Sequence, residues 1–376
     1  MKNSITLQLK HISKVMGNLQ SVLSPNKDIE TSSYILLEVK NNYLCLTAFS
    51  LLGIQLQATI PTLETSGEQS FLLHGDKMLK ICKTFKDPEA KLNIAQDGAK
   101  CIISCMSSKF NLTALSPVLY DKFPEWNPTH EFRINAKTLD KLIIDTKISL
   151  SKKDARGVLS SIHFSINDST IQATTTDSHR ISVSQADINS PIENIELLIP
   201  GKNADKLRQL LNLDEDIRIS FNTYNISFYS EEMVFTAKLV NEKFPDILST
   251  SIIPKIYNNK IEVNLNDLRE AISRAIILTN SKIAKGQLIF KDSSLIITAE
   301  NEAHENAREE IVTKNGFTNT QFTINLKYVS ETLQSFKGSE NIYFLFEDTA
   351  RSITIAANKD IEHSRQSRYI IAPMNF

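Results

Sequence analysis

Cysteine is scarce in this 376-residue chain: the four cysteines, Cys45, Cys82, Cys101 and Cys105, all lie in the first third, and none forms a CxxC pair. That excludes a disulfide framework and gives no reason to expect a metal site. Cys101 and Cys105 share one face of a strand-like run and are expected as small core residues. No apolar run approaches the roughly 20 residues that span a bilayer. Met1 to Thr6 lack a signal-peptide h-region, so a cytoplasmic protein with no membrane partner is expected. Neither GxxxxGK[ST], HExxH nor GxSxG occurs anywhere, and no catalytic residue or cofactor is expected. There is also no aromatic-rich basic run on which single-stranded bases could stack.

What is present is a repeat. The composition, 41% hydrophobic and 23% charged, is that of a globular protein, and the length implies two or three domains. Ile5 to Leu9 alternate like a strand, after which Ile12, Val15, Met16, Leu19 and Leu23 fall on one helical face. Short alternating runs follow, Tyr34–Val39 and Tyr43–Thr47, parted by the turn-prone Asn41-Asn42. A second strand–helix unit opens at Phe71 and runs into Asp76–Phe85, followed by strands at Lys91–Ile94, Cys101–Cys105 and Lys109–Ala114.

The same order returns twice. Phe132–Ile134 precedes Asn135, a candidate cap, and a helix with Leu139, Leu142 and Ile143. Strands at Ser161–Ser165 and Thr170–Thr174 lead on to a helix with Leu207, Leu210 and Leu211. Ile261, Val263 and Leu265 precede a cap at Asn266 and a helix with Leu268, Ala271, Ile272 and Ala275. The last helix carries Val329, Leu333 and Phe336, and Tyr369–Ala372 forms the final strand. Lys122-Phe123-Pro124-Glu125 closes the first third, and Lys243-Phe244-Pro245-Asp246 closes the second. The fold class is therefore α+β: three similar domains at 1–126, 127–252 and 253–376, each of two strand–helix–strands halves, the helices on one side of the sheets.

The formal net charge of -1 conceals a partition. The six helical segments, residues 8–23, 74–87, 136–153, 201–213, 266–285 and 325–338, hold 20 basic and 8 acidic residues, while the rest of the chain holds 22 and 35. Basic helices above an acidic remainder suit one electropositive face turned to a polyanion, held through backbone phosphates without sequence preference.

The densest polar stretch is Thr174 to Val183. Taken alone it could be a fragment of an active site, with Asp177 and His179 as the reacting pair, but the two lie two apart and lack a partnered nucleophile. Asp177 is better read as holding a loop through backbone hydrogen bonds. A repeat scaffold that binds only proteins, its basic helices merely solvated, is the other alternative.

Five segments carry a family resemblance: Thr175–Val183 (TTDSHRISV), Phe235–Asp246 (FTAKLVNEKFPD), Ser273–Lys282 (SRAIILTNSK), Leu295–Asn301 (LIITAEN) and Tyr369–Phe376 (YIIAPMNF). In order, spacing and total length the chain resembles the bacterial sliding clamps, the DNA polymerase III beta subunits. The resemblance implies the DNA clamp fold and a head-to-tail homodimeric ring, helices inside, that encircles double-stranded DNA and tethers a polymerase for processive replication. Implied partners are the DNA polymerase III alpha subunit, the clamp loader, and other DNA polymerases and repair proteins with clamp-binding motifs.

The resemblance also implies sites. A peptide-binding pocket would draw Leu159, Thr176, Ser178, His179, Arg180, Ile181, Pro245, Ser249 and Thr250 from the second domain. From the third and the tail it would draw Asn325, Tyr328, Ala350, Ser352, Ile370, Ile371, Ala372, Pro373, Met374 and Phe376. Phe110 and Leu112 would face Ile277 and Leu278 across the dimer interface, unless these four are ordinary core residues. DNA would meet Lys27, Lys152, Lys153, Arg156, Lys202 and Lys206. The chain departs from the family at Ser178, where a Gly is usual, at Ser249 and Thr250, which make the rim more polar, and at Ala372, which replaces a larger residue.

Overall fold

In a computed structural model of the chain, residues 3–152, 154, 157–247, 253–254, 256–279, 283–314, 319–347, 351–361 and 366–374 are described, without the side chains of 189–193. Among the described residues six α-helices form where the apolar spacing places them. α1 (Leu9–Val22) buries Leu9, Ile12, Val15, Met16, Leu19 and Val22 on a single stripe, a spacing that only a helix brings onto one face. α2 (Gly75–Thr84) packs against it through Met78, Ile81 and Cys82. α3 (Ala136–Thr146) and α4 (Gly201–Leu210) follow, then α5 (Leu265–Ile277) and α6 (Leu326–Leu333).

The cap of α5 is Asn264 rather than Asn266. Its side-chain oxygen accepts from the N–H groups of Asn266 and Asp267, so the helix begins at Leu265, the residue that strand alternation would claim. The segment 136–153 is shorter as a helix than its composition suggests, ending at Thr146 in a single 3-10 turn, Lys147–Ser149.

The strands assemble into four sheets, and every pairing is antiparallel among the described residues. The expected strands at Ser161–Ser165 and Thr170–Thr174 are one strand, Ser161–Thr176. The turn-like Asn167-Asp168-Ser169 becomes a bulge, with register shifts on both sides of Asp168, whose φ is +52°. A bulge absorbs the extra residue without ending the pairing. Ile54–Pro61, Lys285–Lys291 and Asn306–Val312 are strands that the patterning did not single out.

Two compact units result: Met1–Ala136 with Lys202–Leu239, and Lys137–Gly201 with Val240–Phe376. Each holds a sheet that runs on from one third of the chain into the next. In the first unit Met233–Lys238 pairs with Ile54–Pro61 inside an eight-stranded sheet. In the second, Arg180 to Val183 pair with Arg368–Ile371 inside a six-stranded one. Hydrogen-bonded continuity at these joints is why the central third is shared between the units.

The core of the last third shows the layering. Leu268, Ile272 and Ala275 of α5 and Val329 and Leu333 of α6 meet Leu288, Phe290, Ile297, Phe344 and Ile355 from two sheets. Cys82, Cys101 and Cys105 are buried and reduced. Burial pushes the Cys82 and Cys101 thiols up to about 12, which makes them inert small apolar residues.

Candidate docking pocket

The turn between the strands Ser161–Thr176 and Arg180–Pro200 is built by its own side chains. Asp177 accepts at one carboxylate oxygen from the N–H groups of His179 and Arg180, both at 3.1 Å, an Asx-type closure. Thr176 Oγ1 donates to the Arg180 carbonyl at 2.8 Å and accepts from the Ser178 N–H at 3.1 Å. Ser178 itself sits at φ +76°.

Arg180 is 8% exposed and closes the turn from behind. Its Nε donates to Asp177 Oδ2 at 3.0 Å and its Nη1 to Glu331 Oε2 at 2.6 Å. Its guanidinium carbon lies 4.2 Å from the centre of the Tyr328 ring. Burial, and then the Asp177 charge, raise the Tyr328 hydroxyl above the usual tyrosine range. With its carboxylate holding the turn and Arg180, Asp177 is structural.

The C-terminal strand meets this turn in register. Ile371 pairs with Arg180 and Ile370 with Ile181, and beyond the strand Ala372 N–H donates to the His179 carbonyl at 3.0 Å. Met374 N–H then donates to the Thr323 carbonyl at 2.8 Å. Opposite the tail runs Glu242 to Ile247. It is anchored by Phe244, which is buried with Val158 and Leu198 and stacked on His163 with ring centres 4.6 Å apart. Burial holds His163 below the usual histidine range.

Between these elements lies a cavity of about 540 Å³, the size of a small-ligand or peptide-anchor site. Leu159, Ile181, Pro245, Ile370 and Ala372 line it, with Thr176, Ser178, His179 and Arg180 on the turn side. Full burial of one Leu or Phe there contributes about 1.5–3 kcal/mol. Val158, Glu242, Lys243, Phe244, Asp246 and Ile247 line it too without having been expected. The repeated Lys-Phe-Pro-acid landmark was the signal that could have found Lys243, Phe244 and Asp246.

Other expected pocket residues are placed elsewhere. Asn325 caps α6 by accepting from the Lys327 N–H. Tyr328 lies beneath Arg180, Ser352 is buried, and Ile371 belongs to the core of the last third. Pro373 is half-buried. Met374 lines a second cavity, of about 800 Å³, with Lys285, Glu300 and Arg308. Ser249, Thr250, Ala350 and Phe376 lie outside the described residues, as do Lys153 and Arg156.

Of the remaining cations, Lys27 is exposed in the turn bridged by Asn26 and Ile29. Lys152 and Lys202 are exposed, and Lys206 donates to Gln209 Oε1 at 3.2 Å. Part of the helical charge excess is matched locally, since Lys10 pairs with Glu89 and Lys14 with Glu232. Phe110 and Leu112 are half-buried on Ser108–Thr113, an edge strand of the five-stranded sheet. Ile277, at the end of α5, is 76% exposed and so is no core residue, and Leu278 is half-buried. Among the described residues no cluster of His, Cys, Asp and Glu could hold a metal ion.

Comparison with known proteins places this geometry in one group. Profiles of the DNA polymerase III beta subunit match the chain in succession: the N-terminal domain over residues 3–125, the central domain over 133–246 and the C-terminal domain over 250–375. The beta sliding clamp of Haemophilus influenzae is 26% identical over 367 residues, covering 97% of each chain. That of Escherichia coli K12 is 24% identical over 370 residues, covering 98% of this chain and 99% of its own. A crystal structure of the sliding clamp from Pseudomonas aeruginosa, bound to griselimycin, is 24% identical and matches all of both chains with a TM-score of 0.91.

Proposed function

Because this chain belongs to the DNA polymerase III beta subunit family, the non-catalytic processivity clamps, we propose that two copies close head to tail around double-stranded DNA and dock their partners at the pocket of the second compact unit. The family works with DNA and a DNA polymerase. The finer reading is that the DNA polymerase III alpha subunit, the clamp loader and repair polymerases each insert a linear motif into the cavity between Ile181, Pro245 and Ile370, and that this takes place in the cytoplasm. The division into domains at 1–126, 127–252 and 253–376 belongs to the same proposal. A scaffold that binds proteins without encircling DNA is not favoured, since the family match runs the length of the chain.

One observation carries the docking half: the C-terminal strand pairs in register with the Arg180–Val183 segment, so that turn, tail and the Lys243–Ile247 run wall a single apolar cavity. Exposed Lys27, Lys152 and Lys202 support the DNA half, since exposed lysines hold phosphates as point charges and fix no register.

Deleting residues 372–376 tests the docking half. The strand Arg368–Ile371 remains, so the fold is retained, while Ala372 and its bond to His179 are lost. A peptide ending in a Leu-Phe anchor is expected to bind at least about tenfold more weakly to the truncated chain. Undiminished binding would contradict the placement of the site.

A further inference from the structure

The charges around the cavity identify the kind of segment that fits it, a step that rests on the docking reading above. Apolar walls discriminate poorly among Leu- and Phe-bearing segments. Selectivity therefore falls to the rim. Arg180 is the cation of the turn, and two carboxylates, Asp177 and Glu331, engage it at 3.0 Å and 2.6 Å. Two carboxylates already offset its single charge, so a partner's acid gains little there. On the facing wall Glu242, Lys243 and Asp246 are exposed, again two acids to one cation. The five positions that follow Ile247, Leu248 to Ile252, carry no charge at all.

We propose that this pocket selects linear segments whose Leu or Phe anchor is flanked by Lys or Arg, with Glu242 as the principal selecting residue. A lysine or arginine beside the anchor lays its aliphatic stem along the apolar wall while its charged head reaches the carboxylate at the rim. An acidic flank meets like charge there and finds Arg180 already held. Because the rim is exposed, the effect is modest and screened by salt, and it acts on partner choice more than on anchoring.

The test uses the full-length protein and three labelled peptides that share one Leu-Phe anchor and carry two flanking Lys, Gln or Glu residues. Fluorescence anisotropy at about 50 mM and about 300 mM NaCl reads the affinities. The lysine peptide is expected to bind tightest and the glutamate peptide weakest, about tenfold apart at low salt and closer at high salt. Glu242→Lys is expected to reverse that order. Equal affinities, or tighter binding of the glutamate peptide, would overturn the rim proposal and leave docking intact. If none of the three binds, the docking reading fails and the rim proposal fails with it.

Discussion

Ser178 occupies backbone space that suits glycine. At φ +76° its Cβ crowds the following carbonyl, which costs a non-glycine residue about 1–2 kcal/mol. The Thr176–Arg180 hydrogen bonds hold it there. Ser178→Gly relieves that crowding but loosens the unfolded chain, so a net stabilisation on the order of 0.5 kcal/mol is expected. Urea unfolding reads it as a raised midpoint at unchanged slope, and a lowered midpoint would contradict the account. The family's usual Gly at this position made the departure visible in the sequence, and the positive φ supplies the reason a glycine suits it. Arg180 was legible only in part. Its place on the turn followed from the motif, but its partners Glu331 and Tyr328 lie some 150 positions away, and no local pattern points to them.

At the level of elements, the helices were the most legible feature, because a one-sided apolar stripe has a period that survives any tertiary setting. The strands at the joints were harder. Ile54 to Ile60 alternate apolar and polar residues as a half-buried strand does, so the strand itself was open to the same reading, but its pairing with Met233–Lys238 joins distant parts of the chain and was not. Pairing between Arg180–Val183 and Arg368–Ile371 was legible only through family resemblance, as register across such a distance leaves no local trace. Two edge strands, Ser108–Thr113 and Asn306–Val312, present unpaired backbone, the usual template for joining another chain. Beside the second, α5 ends in the exposed Ile277. Replacing Ile277 and Leu278 together by Asp is expected to leave the fold intact and yield monomers in sedimentation velocity. A dimer that persists at micromolar concentration would show that the contact between copies lies elsewhere.

For the whole molecule, the repeat and the charge partition pointed the same way before any comparison: basic helices, an acidic remainder and no catalytic motif. The structure tempers the charge argument, since Lys10 and Lys14 of α1 are ion-paired, so the electropositive face is weaker than the helical totals suggest. Weak, exposed contacts of this kind would let a closed ring move along a duplex, because retention then depends on topology rather than on affinity. The most direct measurement is therefore retention on nicked circular DNA, loaded with the protein and then challenged with salt before and after a single cut. A processivity clamp is expected to remain on the closed circle through the salt wash and to be lost once the circle is linearised. Equal retention on circular and linear DNA would contradict encirclement.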